Sequence, residues 1–222
     1  MTKERLGRSV RESEAPNRSR RRWLLASAGL LAAGALHAAQ RFLPTPTQMM
    51  GPFYPDEPPL DQDNDLTRVQ GSAAAAEGKI TELSGRLLDV NGNPIRATRI
   101  EIWQCDARGL YHHPRDRAGA RDENFQGFGH TLTDNQGRYR FRTIKPVPYP
   151  GRTPHIHFAV RPDFDEPFIT QLYVQGEPRN AHDGLYNAIP PERRRRVTAE
   201  FAAAGAILAA KFDIVLGATP TS

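Results

Sequence analysis

The sequence predicts an all-β protein, a β-sandwich of mainly antiparallel strands that carries long loops. Short apolar or alternating runs recur from Ile80 to the C-terminal region, seven or more of them. They are separated by turn-forming clusters such as Asp89-Val-Asn-Gly-Asn-Pro94, Asp106-Ala-Arg-Gly109 and Asp134-Asn-Gln-Gly137. Regular short strands punctuated by Gly, Asn and Asp turns are the pattern of a sandwich. No Gly-rich loop follows a strand and opens a helix, so neither a dinucleotide-binding nor a phosphate-loop fold has support.

The elements follow in order. Residues 41–78 read as irregular: Gly51-Pro52-Phe53-Tyr54-Pro55 is rich in turn and aromatic residues, and Ser72 to Gly78 is a small-residue linker. Such a segment reads as an arm that buries its aromatics on the domain or on another subunit. Ile80 to Asp89 carries Leu83, Leu87 and Leu88 and reads as the first strand. Ala97 to Gln104 alternates through Ile100 and Ile102, and Phe128 to Thr133 is a further short strand. Arg138 to Ile144 alternates again, with Tyr139, Phe141 and Thr143 on one face and the arginines on the other. Lys145 to Pro154 holds four prolines and cannot be sheet interior. His155 to Arg161 and Phe168 to Val174 are strands, and Asn180 to Pro191 is loop. Ala199 to Ala210 is Ala-rich and has helical composition, with Glu192 to Arg196 as a polar run before it. Phe212 to Leu216 is strand-like.

The formal net charge of +5 is local. Residues 1–22 hold eight basic and three acidic side chains, and the remainder carries 22 of each. The folded domain is therefore neutral overall, which argues against a nucleic-acid partner. The basic segment precedes an apolar run from Trp23 to Ala35 and small residues near Ala38 and Ala39. That order is the order of an export signal, and Ser19-Arg20-Arg21-Arg22-Trp23-Leu24 resembles the twin-arginine type. The apolar run is short for a membrane span. The expected organisation is a signal at 1–39, an arm and linker at 40–79, and a sandwich domain at 80–222. The expected location is periplasmic or extracellular, with no membrane span after signal cleavage. A single cysteine, Cys105, cannot form an internal disulfide and reads as the end of a buried strand.

The chemistry gathers around Tyr149-Pro-Gly-Arg152-Thr-Pro-His155-Ile-His157-Phe158. Side chains alternate along a strand, so His155 and His157 share one face with their Cα atoms about 6.6 Å apart. Two imidazoles at that spacing can share one metal. Alone, the pattern is more commonly a polar strand face with incidental histidines, and it leaves the metal unnamed.

Several stretches together resemble the intradiol ring-cleaving dioxygenases, the protocatechuate 3,4-dioxygenase and catechol 1,2-dioxygenase superfamily. They are Gly51-Pro-Phe-Tyr54, Ile102-Trp103-Gln104 through Gly109-Leu110-Tyr111, Thr133-Asp-Asn-Gln-Gly-Arg-Tyr139, and Phe141-Arg-Thr-Ile-Lys-Pro146 with Pro148-Tyr149-Pro150. Arg152-Thr-Pro-His155-Ile-His157-Phe158 and Ile169-Thr-Gln171-Leu-Tyr173 complete the set, which runs in order over about residues 48–175. The resemblance implies iron(III) held by Tyr111, Tyr149, His155 and His157, with Tyr111 and His155 equatorial and Tyr149 and His157 axial. It also implies that Arg152 stabilises charge on the substrate, that Gln171 supports the site, and that Tyr149 accepts a substrate proton. Pro52 and Tyr54 are the expected pocket wall. The implied partners are a small aromatic diol and O2. The implied reaction splits the bond between the two hydroxyl-bearing carbons to give a cis,cis-muconate-type diacid. A lone chain is compatible with a homo-oligomer. The bridge from Tyr149 to Arg152, only Pro150 and Gly151, is shorter than in the protocatechuate enzymes and reshapes the pocket. Two alternatives stay open: an exported sandwich that binds without catalysis, and a cupin-like oxygenase that adds a third His or Glu to the H-x-H pair.

Overall fold

The computed structural model describes residues 41–57, 59–162 and 166–217. The export segment and its cleavage site lie outside the described residues. Two five-stranded sheets face each other across one apolar core. The strands are β1 (Ile80–Asp89), β2 (Arg99–Trp103), β3 (Phe128–Leu132), β4 (Arg138–Ile144), β5 (His155–Arg161), β6 (Phe168–Val174), β7 (Thr198–Ala199), β8 (Ala202–Ala204), β9 (Ile207–Lys211) and β10 (Ile214–Leu216). In the first sheet β1 is central, pairing antiparallel with β4 and parallel with β9 and β10. The second runs β3-β2-β5-β6-β7, antiparallel except for β6 with β7. No helix among the described residues is long and apolar enough to cross a membrane.

Alternation decides which residues reach the core. Leu83 and Leu87 on β1, Tyr139 and Phe141 on β4, Ile100 and Ile102 on β2, and Ile156, Phe158 and Val160 on β5 all meet between the sheets. Each such side chain, taken fully out of water, contributes roughly 1.5–3 kcal/mol. Arg138 and Arg140 on the opposite face of β4 are exposed, as the pattern predicts. The odd-numbered residues of β5 point away from this core. They meet a second apolar cluster of Trp103, Cys105, Tyr111, Phe128, Ala159 and Ile169, covered by Phe53, Tyr54 and Tyr149. The functional residues therefore lie on the outer face of the second sheet, roofed by the arm and the loops.

The expected helix over Ala199–Ala210 does not form. Its residues are β7, a hairpin of β8 and β9, and the connections between them. Gly205 turns the hairpin with φ +66°, a conformation that a helix interior lacks. Beyond it, Leu208, Ala209 and Ala210 pair with Thr81, Glu82 and Leu83 of β1. Alanine's helix propensity, a few tenths of a kcal/mol per residue, is overridden by completing the edge of the first sheet. Glu192 to Arg196 falls in a 3₁₀ turn, Pro191–Arg196. The loop after β6 contains a 3₁₀ turn, Pro178–His182, and a one-turn helix α1, Gly184–Asn187.

Candidate metal centre

Sheet register builds the site's floor. Trp103 on β2 lies opposite His157 on β5, which lies opposite Gln171 on β6, and His155 lies opposite Tyr173. One row thus delivers an indole, an imidazole and an amide side by side. His155 and His157 are each 1% exposed, and their Nε2 atoms are 3.1 Å apart. Nδ1 of His155 is 2.6 Å from the Thr153 carbonyl, a contact that requires Nδ1–H as donor and leaves Nε2 with a free lone pair. The His157 ring stacks on Trp103 at 4.7 Å and 9°. Gly51 of the arm passes over the same ring with φ +78°, and a Cβ there would lie 3.3 Å from His157 Cε1. A side chain at that position would press on the imidazole.

The loops bring in the tyrosines. Tyr149, Pro150, Gly151 and Arg152 form a tight turn closed by Arg152 N–H donating to the Tyr149 carbonyl at 3.0 Å. Proline at its second position presets φ, and Gly151 supplies the φ of +80° required at the third. The turn places Arg152 Nη1 3.4 Å from the Tyr149 hydroxyl. Tyr111 follows the Asp106–Leu110 turn, which Asp106 holds by accepting from the backbone N–H groups of Arg108 and Leu110. The Tyr111 and Tyr149 rings meet edge to face at 5.3 Å, with Tyr149 5.5 Å from His155 and Tyr111 6.2 Å from His157. Phe53 stacks on Tyr111 at 4.6 Å. Thus all four expected ligands converge.

Their electrostatics suit a cation. Burial raises the Tyr111 phenol well above its ordinary pKa, and its hydroxyl has no hydrogen-bond partner. Burial also raises Tyr149, against the opposing pull of Arg152. Burial lowers both imidazoles, with Arg152 adding to the effect on His155 and with His155 and Arg152 adding to it on His157. The centre therefore offers neutral imidazole lone pairs and desolvated phenols, which a strongly polarising cation can ionise and hold. Among the described residues no three His, Cys, Asp or Glu side chains form a metal-binding group. The third His or Glu of a cupin-like site is therefore lacking, and the donor set needs its tyrosines.

Arg152 is fixed from three sides. Its Nε donates to Asp183 Oδ2 at 2.8 Å, and Nη2 donates to Gln171 Oε1 at 2.6 Å. Burial lowers the guanidinium pKa, but Asp183 more than offsets this and it stands above its ordinary value. Asp183, 1% exposed, also accepts from the backbone N–H of Thr153 and Tyr186. Those contacts outweigh the effect of burial and hold its carboxyl below the ordinary range. Gln171 is held in turn by Tyr173, whose hydroxyl donates to its Oε1 at 3.0 Å, and by the Met49 carbonyl. A cavity of about 420 Å³ opens beside this group, lined by Tyr149, Pro150, Gly151, Arg152, Arg179 and His182 among others.

Asp183 was not among the residues expected at the site. Its only sequence signal is Asp183-Gly184, a helix cap before α1. Pro52 and Tyr54, the expected pocket wall, line neither this cavity nor the smaller one, about 100 Å³, beside Tyr111. Pro52 is exposed. The Tyr54 hydroxyl donates to Glu101 Oε2 and accepts from Arg161, both at 2.9 Å, which anchors the arm. Phe53, between them, lines the smaller cavity. His113 is buried, with its Nε2 3.4 Å from Asp56 Oδ2. Cys105 is buried with its thiol pushed up to about 12, chiefly by desolvation, which makes it no nucleophile at neutral pH.

A pH dependence follows. The His155 pKa is lowered to about 4 in the folded chain, against about 6.5 when unfolded. Between those values the unfolded state binds more protons, so stability rises with pH across that window. Metal-stripped protein should lose about 3 kcal/mol from this group on acidification from pH 7 to below 4. Denaturant titrations at stepped pH, compared with His155→Gln, check this; equal slopes for the two proteins would refute it.

Comparisons with known proteins point to one family. The sequence family described as Dioxygenase matches residues 49–218. The protocatechuate 3,4-dioxygenase beta chain of Burkholderia cepacia is 39% identical over 178 residues, covering 74% of this chain and 76% of that one. A hydroxyquinol 1,2-dioxygenase of Corynebacterium glutamicum is 32% identical over 154 residues, of which the match spans only 48%. Among solved structures, the dioxygenase domain of a dioxygenase–carbohydrate-binding fusion from Streptomyces sp. SirexAA-E superposes with a TM-score of 0.61 at 30% identity, covering 79% of this chain and 99% of that domain. An intradiol ring-cleavage dioxygenase from Tetranychus urticae shares the fold at a TM-score of 0.64 and 20% identity, covering 79% and 95%.

Proposed function

Because this chain belongs to the intradiol ring-cleavage dioxygenases, we propose that it opens a catechol-type diol between its hydroxyl-bearing carbons, using iron(III) held by Tyr111, Tyr149, His155 and His157. Both atoms of O2 enter the product, a cis,cis-muconate-type diacid. The observation that carries this reading is the convergence of two adjacent imidazole nitrogens with two buried phenols, one without a hydrogen-bond partner. A sandwich that only bound ligands would have no need to bury these groups together. When bound, iron(III) would ionise the phenols and draw electron density from the diol, leaving the ring open to dioxygen.

The protein's own part is positioning and charge. Thr153 sets the His155 tautomer, and Trp103 and Gly51 confine the His157 ring. Tyr149, at the mouth of the larger cavity, is the group to take a proton from a diol hydroxyl at its Oη. Arg152 Nη1 faces that oxygen and stabilises negative charge arriving there. Asp183 and Gln171 keep the guanidinium from turning away. Phe53 stacks on Tyr111 and covers one face of its ring. Export by the twin-arginine route, to the periplasm or beyond, is the accompanying reading and rests on Arg20-Arg21-Arg22 and the apolar run after them.

The test is spectroscopic and chemical. Iron-loaded protein should be red to burgundy from phenolate-to-iron(III) charge transfer. Catechol, protocatechuate, hydroxyquinol and substituted catechols, offered separately, should yield ring-opened diacids split between the hydroxyls. A colourless iron-loaded protein, or products cleaved outside the two hydroxyls, would sink the proposal.

A further inference from the structure

The outer face of the other sheet carries a second set of charges that the ring-cleavage reading does not use. We propose that it is a binding site for a small multivalent oxyanion, a di- or tricarboxylate or a sulfuryl or phosphoryl anion. A cavity of about 560 Å³ lies there, lined by Arg86, Arg138, Arg140 and Lys211 with Asp134 as its one carboxylate. Register explains the crowding. Arg86 on β1 is directly opposite Arg138 on β4, and Ser84 lies between Arg140 on β4 and Lys211 on β9. Three adjacent strands thus turn cations to one face, with a short serine as the floor between them.

Elsewhere the fold neutralises its strand arginines. Arg142, next on the same face of β4, pairs with Glu82 and Asp65, while Arg99 and Arg161 share Glu101. In the cavity, Arg138 is held by Asp134 at 2.7 Å, and exposed Lys211 is 3.5 Å from Asp213. Among the described residues no carboxylate lies within ion-pair distance of Arg86 or Arg140, and Arg86 Nε is buried without a hydrogen-bond partner. Like charges directly opposite on paired strands repel, and a buried N–H left unpaired carries a desolvation cost. A bound oxyanion relieves the repulsion, and the guanidinium fork matches carboxylate, sulfate or phosphate oxygens two at a time. The four lining cations, set against Asp134 and the neighbouring Asp213, leave two positive charges, which calls for more than one negative charge on the guest. The paired Arg142–Glu82–Asp65 group ends the basic strip, so the site suits a small guest rather than a long polyanion. The apolar core separates it from His155 and His157.

Calorimetric titration of the full chain tests this, with sulfate and with propane-1,2,3-tricarboxylate, a poor iron chelator, at ionic strength matched with sodium chloride. Saturable one-to-one binding is expected, at least tenfold weaker in Arg86→Ser/Arg140→Ser and at least threefold weaker in Arg140→Gln, whose exposed position spares the fold. Catechol turnover should stay unchanged in both variants. Tighter binding of either probe would support the site and assign its preferred chemistry. No saturable heat beyond the chloride control, equal affinity in the variants, or binding confined to long polyanions such as heparin would overturn the proposal. None of these outcomes depends on ring cleavage.

Discussion

His157→Ala should abolish ring cleavage and release the metal while leaving the sandwich folded. The imidazole is buried, presents Nε2 3.1 Å from that of His155 and is clamped flat against Trp103. Alanine removes both the donor and the ring on which Trp103 and Gly51 rest. We expect kcat/KM to fall by at least about 100-fold and bound iron to fall below about a tenth of the wild-type ratio, since even support residues around metal ligands are typically worth 10- to 100-fold. Folding should survive because the residue lies outside the inter-sheet cluster that includes Ile156 and Phe158. Metal analysis with a thermal melt checks this. Full iron occupancy in a folded His157→Ala protein would remove His157 from the ligand set.

Asp183→Asn is expected to produce the next largest effect, at a residue outside the proposed ligand set. One carboxylate oxygen holds Arg152 Nε at 2.8 Å and the Thr153 N–H at 3.0 Å, while the other caps α1. The amide keeps one acceptor oxygen but loses the charge, so Arg152 remains largely buried beside Tyr149 without its counter-ion. Breaking such a pair costs about 3 kcal/mol. The same substitution should lower kcat more than it raises KM, by about 10- to 100-fold, because Arg152 then no longer faces the Tyr149 oxygen at a fixed distance. Stopped-flow turnover and denaturant melts on one preparation separate the two effects. Unchanged kcat with lowered stability would reduce Asp183 to a structural cap.

Much of this was legible along the chain because strand periodicity is local. β1, β4, β5 and β6 begin and end where alternation and turn residues put them, and Tyr139 and Phe141 face inward while Arg138 and Arg140 face out. The H-x-H pair declared a shared face, and the Pro150-Gly151 turn declared its own φ requirement. The residues that converge on the centre, Tyr111, Tyr149, His155, His157, Arg152 and Gln171, were named through a family resemblance that spans the motif-bearing stretches. Spacing alone would not have preferred Tyr111 over Tyr139, whose hydroxyl donates to the Phe212 carbonyl in the core.

Other features depended on partners far away in sequence. The Ala199–Ala210 segment had helical composition, and the open edge of β1 drew it into strands because sheet pairing outweighs a small intrinsic propensity. Tyr54 carried no mark that Glu101 and Arg161 would anchor its hydroxyl. Asp183 lies 31 residues from Arg152, and only the fold of the β6–β7 connection brings the two charges together. The basic face of β1, β4 and β9 was hidden by a domain whose charges sum to zero, since register, not composition, sets Arg86 opposite Arg138. Local sequence was thus enough for strands, turns and the candidate donor atoms. Which charges meet, and which remain unpaired, was decided by long-range packing, because electrostatic energy depends on separation in space rather than along the chain.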